Sequence, residues 1–180
     1  MNDLDKERQT EGSKAWYAIQ TFYCKEEHLG KKGVNYFIPM RFVEYETLDG
    51  KKHRKLTPAV HNLLFIEKEF TEKELLERVK DCTIPFLLVR DRSTRRCYEI
   101  PDHEMLEFRA VCDPNYKGTL YVDTVTAEAR PGQAVRVIRG PFAGLEGKLT
   151  QYKKSYYVVV TLATIGVMLH IPKWYCEKIN

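Results

Sequence analysis

"VRVIRGPFAGLEGKL", residues 135–149, is the stretch that decides the fold. Apolar residues alternate with Arg136 up to Val137, Ile138 follows, and Gly140-Pro141 breaks the run. Gly144 and Gly147 are spaced for a bulged return with positive backbone angles or close approach, and Phe142 is placed to anchor the loop. Arg136 and Arg139 lie three apart, so on an unbroken strand they face opposite sides and only one need meet a partner.

Outward from this loop the texture stays all-β. QAVRVIRG, EGKLTQY, SYYVVVTL and GVMLHIP follow Pro131, joined by short polar or glycine turns. The run Tyr156 to Val160 favours strand over helix. Fifty residues with four or five such strands are expected to close as a small barrel over 131–180.

Upstream the pattern mixes strands and helices. KAWYAIQTF alternates with apolar residues on both sides, which predicts burial on both faces. KEEHLGKK predicts a short helix ended by Gly33, and VNYFIPMRFVEYE a second strand with Pro39 at an edge or bulge. Asp49-Gly50 predicts a turn carrying the basic tip KKHRK, and LTPAVHNLLFIEKEF a returning strand. Thr71 with Glu74 three residues on is a capping box, opening a helix expected to bury Leu75, Leu76 and Val79. FLLVRD reads as a fourth strand. A second helix after Pro101 is expected to be capped by Asp102 and to bury Met105, Leu106 and Phe108. The expected organisation is a disordered start over 1–13, an α+β domain over 14–112, a linker over 113–130 and the barrel over 131–180.

Charge divides the chain in the same way. From residue 131 onward there are seven Lys/Arg against two acids, a balance of +5, which leaves 22 against 23, or −1, before it. A compact basic module is compatible with a nucleic-acid partner. The five cysteines are odd in number, widely spaced and without metal-ligand spacing, so reduced thiols are expected. No apolar run approaches a membrane span and the start lacks a signal-peptide core, which predicts a cytoplasmic protein with no membrane partner.

Catalytic patterns are absent. There is no HExxH, GxGxxG, Walker loop or GxSxG, and the five histidines sit far apart beside no Ser or Cys nucleophile pattern. An enzyme is therefore disfavoured, and neither cofactor nor metal is expected.

The loop at 135–149 closely resembles the KOW motif, and "WYAIQTF" resembles the opening of the NusG N-terminal domain. "VNYFIPM", the basic hairpin "DGKKHRK", "NLLFI" and "YEIPDHEM" fall between them in the order of NusG-family transcription elongation and antitermination factors. "FYCKEEHLG", "YFIPM", "PAVHNLLFIEK" and "GVMLHIPKWYCEKI" look most like the specialised antiterminators of particular operons, those for capsular polysaccharide among them. The resemblance implies an α+β N-terminal domain, with an antiparallel sheet flanked by helices, and then an SH3-like KOW barrel. It implies a monomer that grips the clamp helices of RNA polymerase. The polymerase contact is expected from an exposed apolar patch of Val60 and Leu63, supported by Tyr17 and Phe22. Lys51, Lys52, Arg54 and Lys55 are expected near DNA or nascent RNA. The KOW loop, through Arg139, Phe142, Gly144 and Gly147, is expected to meet a second partner such as a ribosomal protein, RNA or a termination factor.

Two departures accompany the resemblance. The general factors carry Phe-Pro-Gly-Tyr where this chain has Val60-His61-Asn62-Leu63, so an aliphatic contact replaces an aromatic one. The helix between Cys24 and Gly33 is shorter than in typical members by about two turns, a change that keeps its apolar face in phase. The competing reading is a ribosome- or RNA-binding KOW protein, against which the complete N-terminal domain argues.

Overall fold

A computed structural model describes residues 14–21, 32–80, 85–91, 94–163 and 165–179. The start at 1–13, Phe22 and most of the expected first helix lie outside the described residues. The N-terminal part is built on a five-stranded sheet of β1 (Ala15–Thr21), β2 (Tyr36–Phe37), β5 (Leu63–Glu67), β6 (Phe86–Leu88) and β7 (Glu99–Pro101). Its order is β2-β5-β1-β6, with β7 also paired to β1, and every pairing is antiparallel.

Both faces of the two central strands are covered, as the apolar residues on both sides of KAWYAIQTF predict for β1. Tyr17 and Ile19 of β1 join Leu64 and Ile66 of β5 in one cluster with Leu75 and Val79. Trp16 and Ala18 join Leu63 and Phe65 on the other side, against Met105, Phe108 and Val111. Helix α1 (Glu72–Val79) thus lies on one face and α2 (Asp102–Val111) on the other.

Local chemistry starts each helix. The Glu74 amide donates to the Thr71 hydroxyl at 3.3 Å and the Thr71 amide to the Glu74 carboxylate at 2.9 Å, so the capping box forms as expected. At α2 the expected cap is corrected. Pro101 is the N-cap and makes no side-chain cap bond; Asp102 is already helical, and its Oδ1 accepts from the Trp16 indole Nε1 at 2.9 Å. Leu75 and Val79 are buried in α1 and Met105 and Phe108 in α2, but Leu76 and Leu106 are exposed, each one residue beyond the buried stripe.

The expected second strand divides at Ile38-Pro39. β2 pairs with β5 in the main sheet, whereas β3 (Met40–Glu46) pairs only with β4 (Lys52–Pro58) in a separate two-stranded ribbon. Pro39 has no amide to continue a ladder, and its carbonyl instead accepts from Ala59 at 2.7 Å.

The expected linker is also corrected. Residues 113–130 hold β8 (Thr119–Asp123) and α3 (Thr124–Ala129), whose N-cap Asp123 accepts from the Thr126 amide at 2.8 Å. β8 pairs with β12 (Ile165–His170), so it completes a six-stranded sheet ordered β13-β9-β10-β11-β12-β8. The other members are β9 (Gln133–Val137), β10 (Glu146–Tyr152), β11 (Ser155–Leu162) and β13 (Cys176–Lys178). Val135, Val137, Val158, Val167 and Leu169 fill this all-β domain's interior, while Val159 and Met168 pack with Ala127 of α3.

Candidate functional site

The register of the β3-β4 ribbon sorts its charges. Lys52 pairs with Glu46 and Arg54 with Glu44, so two of the four expected basic residues sit directly across from acids. Arg54 also lies over the Phe42 ring at 4.5 Å. Lys51 reaches Asp49 at 3.0 Å in the turn, where Gly50 takes φ 77. The Thr47 hydroxyl and then Lys51 hold the Asp49 carboxyl below its ordinary value. Lys55 pairs across from Val43 and has no ion pair among the described residues; on its side of the ribbon Tyr45 stacks on His53 at 5.6 Å. The basic tip is exposed throughout; Lys52 and Arg54 share a face with Glu44 and Glu46, whereas Lys55 lies on the other face.

The expected apolar patch is not one surface. Tyr17 and Leu63 are each only 3% exposed, and they lie on opposite faces of the sheet. The register explains this: Tyr17 pairs with Ile66 and Gln20 with Leu63, so odd positions of β1 share a face with even positions of β5. Val60 alone of the described members is half-exposed, and it packs against the core. It rims a cleft of about 320 Å³ with Gln20, His61 and Leu87. Leu87 is 54% exposed and was missed, because a three-residue edge strand gives no readable alternation. Asn62 turns the chain into β5 at φ 70, a left-handed conformation that asparagine tolerates.

In the loop at 135–149 the four expected residues divide into separate tasks. Arg136 pairs across from Glu146 and its Nε donates to that carboxylate at 2.9 Å, whereas Arg139 is exposed and has no ion pair among the described residues. Phe142 is half-buried, edge-on to Tyr116 at 4.8 Å, and Tyr116 donates its hydroxyl to the His170 carbonyl at 2.6 Å. Gly147 is a packing position: a Cβ there would lie 2.6 Å from the Val159 carbonyl oxygen. Gly144 takes φ 96 with open space around it, so it serves the turn.

A larger exposed side chain lies beside this loop. Trp174, in the 3-10 turn Lys173–Tyr175, is 75% exposed. The Ile138 amide donates to the Tyr175 carbonyl at 2.7 Å, which sets residues 138–140 alongside 173–175. Ile138 is itself 46% exposed. No periodic pattern marks a residue in a single turn, so nothing but its identity singles out Trp174 in the sequence.

The described thiols are poor nucleophiles. Burial and then the Glu72 hydrogen bond push Cys97 up to about 11, and burial pushes Cys112 up to about 12. Cys97, Cys112 and Cys176 are free. Among the described residues no three His, Cys, Asp or Glu side chains cluster as a metal site, and no helix is long and apolar enough to cross a membrane.

The family model described as transcription termination factor NusG matches residues 14–109, and the KOW motif matches 131–162. The chain belongs to the NusG family. Its fold is accordingly the NusG N-terminal domain followed by a small all-β KOW domain. A solved structure titled "Domain interaction in Thermotoga maritima NusG" is similar at 20% identity and a TM-score of 0.48, covering 93% of this chain and 98% of that one. No curated protein sequence matches the chain. NusG-family proteins are non-enzymatic transcription elongation and antitermination factors that bind RNA polymerase.

Proposed function

We propose that this NusG-family chain is an antitermination factor that binds RNA polymerase through its N-terminal domain and promotes processive transcription of particular operons, of the capsular polysaccharide type. The observation that carries the reading is the family match over 14–109, followed in order by the KOW motif. The segments "YFIPM", "PAVHNLLFIEK" and "GVMLHIPKWYCEKI" support the specialised branch. Binding to the clamp helices would bias the polymerase toward its elongating state in proportion to the difference in affinity for the two states. Val60 with Leu87 at the 320 Å³ cleft replaces the larger patch as the polymerase contact. The Lys55 side of the ribbon faces DNA or nascent RNA, and a cytoplasmic monomer fits this role.

Co-elution of the full chain with purified RNA polymerase tests the reading. Val60→Asp with Leu87→Asp is expected to abolish co-elution while the melting temperature stays within a few degrees, since neither side chain is fully buried. A wild-type chain that associates with ribosomal subunits and not with polymerase would favour the ribosome-binding alternative. Genome-wide occupancy then separates the branches: a few operons are expected, and occupancy of every transcribed gene would rule out operon specificity.

A further inference from the structure

We propose that the barrel rim around Trp174 binds single-stranded nucleic acid, with a base stacked on the indole and flanking phosphates held by Arg139 and Lys173; this rests on the reading of the chain as a transcription factor. Three observations meet at this rim.

The first is the exposure of the indole. Tryptophan is the largest apolar side chain, and here it is 75% exposed, supported from one side by the Tyr175 ring at 6.5 Å in an edge-on arrangement. The Tyr175 ring is in turn packed under Gly140, where a Cβ would meet it at 3.1 Å. The indole is thus propped on a rigid turn with much of its surface in solvent, the geometry of a stacking platform.

The second is charge. From residue 131 onward the only acids are Glu146 and Glu177. Both pair with the same residue, Arg136, from the two strands that flank β9. Arg136 therefore stands between two carboxylates, and Arg139 and Lys173 have no acidic partner among the described residues. The rim beside the indole is positive, which fits a polyanion.

The third is that the aromatic surface continues. Lys173 Nζ lies over the Tyr156 ring at 5.3 Å, and Tyr156 is half-exposed. Aromatic faces interleaved with unpaired cations accept bases of any identity, because every base offers a π-face.

The chain reports on this site by its own fluorescence. It has two tryptophans, and Trp16 is 5% exposed and hydrogen-bonded in the core, so iodide in solution reaches Trp174 selectively. Titration of the full chain with mixed-sequence oligonucleotides of about ten nucleotides, RNA in one arm and DNA in the other, is expected to quench the red-shifted emission and to protect it from iodide. Trp174→Ala should remove the quenching and weaken binding by roughly 5- to 100-fold, while Trp174→Phe keeps most of the affinity. Arg139→Gln with Lys173→Gln should lower the slope of log affinity against log salt, because fewer counterions are released. Quenching by RNA alone assigns the site to the transcript, and quenching by DNA as well assigns it to exposed single strands in general. If neither oligonucleotide quenches Trp174, or if a well-folded Trp174→Ala chain binds as tightly as the wild type, the proposal is wrong. Polymerase co-elution of the same Trp174→Ala chain keeps this outcome separate from the polymerase reading.

Discussion

Strands β4 and β5 are joined by only four residues, yet β5 buries Leu63, Leu64, Phe65 and Ile66 while β4 exposes its first five residues. Both are in extended backbone with antiparallel partners. The difference lies in what covers them: β5 is central, with a helix on each face, whereas β4 belongs to a ribbon paired only with β3. A surface that binds a partner must have a face to spare, and β5 has none. The ribbon has two.

The same substitution on the two strands gives the hardest test. Leu63→Asp places an unpaired carboxylate beside Phe65 and is expected to cost at least about 3 kcal/mol in denaturant unfolding. Lys55→Asp on the ribbon should leave the midpoint nearly unchanged. If Leu63→Asp unfolds like the wild type, the central position of β5 is wrong.

Aromatic truncation repeats the contrast with no charge involved. Phe65 is fully buried and edge-on to Phe108 at 5.4 Å, so Phe65→Ala should cost about 3–5 kcal/mol. Tyr45 is 49% exposed, and Tyr45→Ala should cost about 0.5 kcal/mol or less.

A smaller effect comes from the cap that starts α1 over the β5 face. Thr71→Ala should cost about 1 kcal/mol. The Thr71 amide and hydroxyl hold the Glu74 carboxyl below its ordinary value. A depressed carboxyl contributes stability above its unfolded pKa, and that contribution disappears as pH falls through the lower folded value. The difference between wild type and Thr71→Ala should therefore shrink on acidification below the usual glutamate range, followed by thermal melts at stepped pH. A gap that widens in acid would count against the cap.

The least effect is expected on the ribbon. Arg54→Ala removes the contact with Phe42 and the charge across from Glu44 and should shift stability by no more than about 0.5–1 kcal/mol, less in high salt. A larger loss would mean that the ribbon is part of the cooperative core.

These cases also show what the sequence could and could not disclose. The capping box depends on two residues three apart, and burial of β1 on both faces follows from apolar residues on both sides of KAWYAIQTF; both were readable because the cause is local. Leu63 could not be placed correctly from pattern alone, because its face depends on pairing with Gln20 across a distance of 43 residues that only the fold sets. β8 was missed because TLYVD is a five-residue strand between turn residues, and its ladder partner lies more than forty residues downstream. Of the loop, the turn role of Gly144 was legible, but Phe142 is occupied by Tyr116, a residue in the stretch expected to be a linker.

The placement of β8 has a practical consequence for dividing the protein. Cutting at Pro131, where the all-β texture begins, would strip β8 from β12 and uncover a strand whose residues Ile165 to Leu169 are all buried in the whole chain. An open apolar ladder of that kind is a template for pairing with another copy. A fragment beginning at 131 should therefore associate or precipitate, and one beginning near Asp113 should stay monodisperse: the boundary of the folding unit lies upstream of the boundary of the motif.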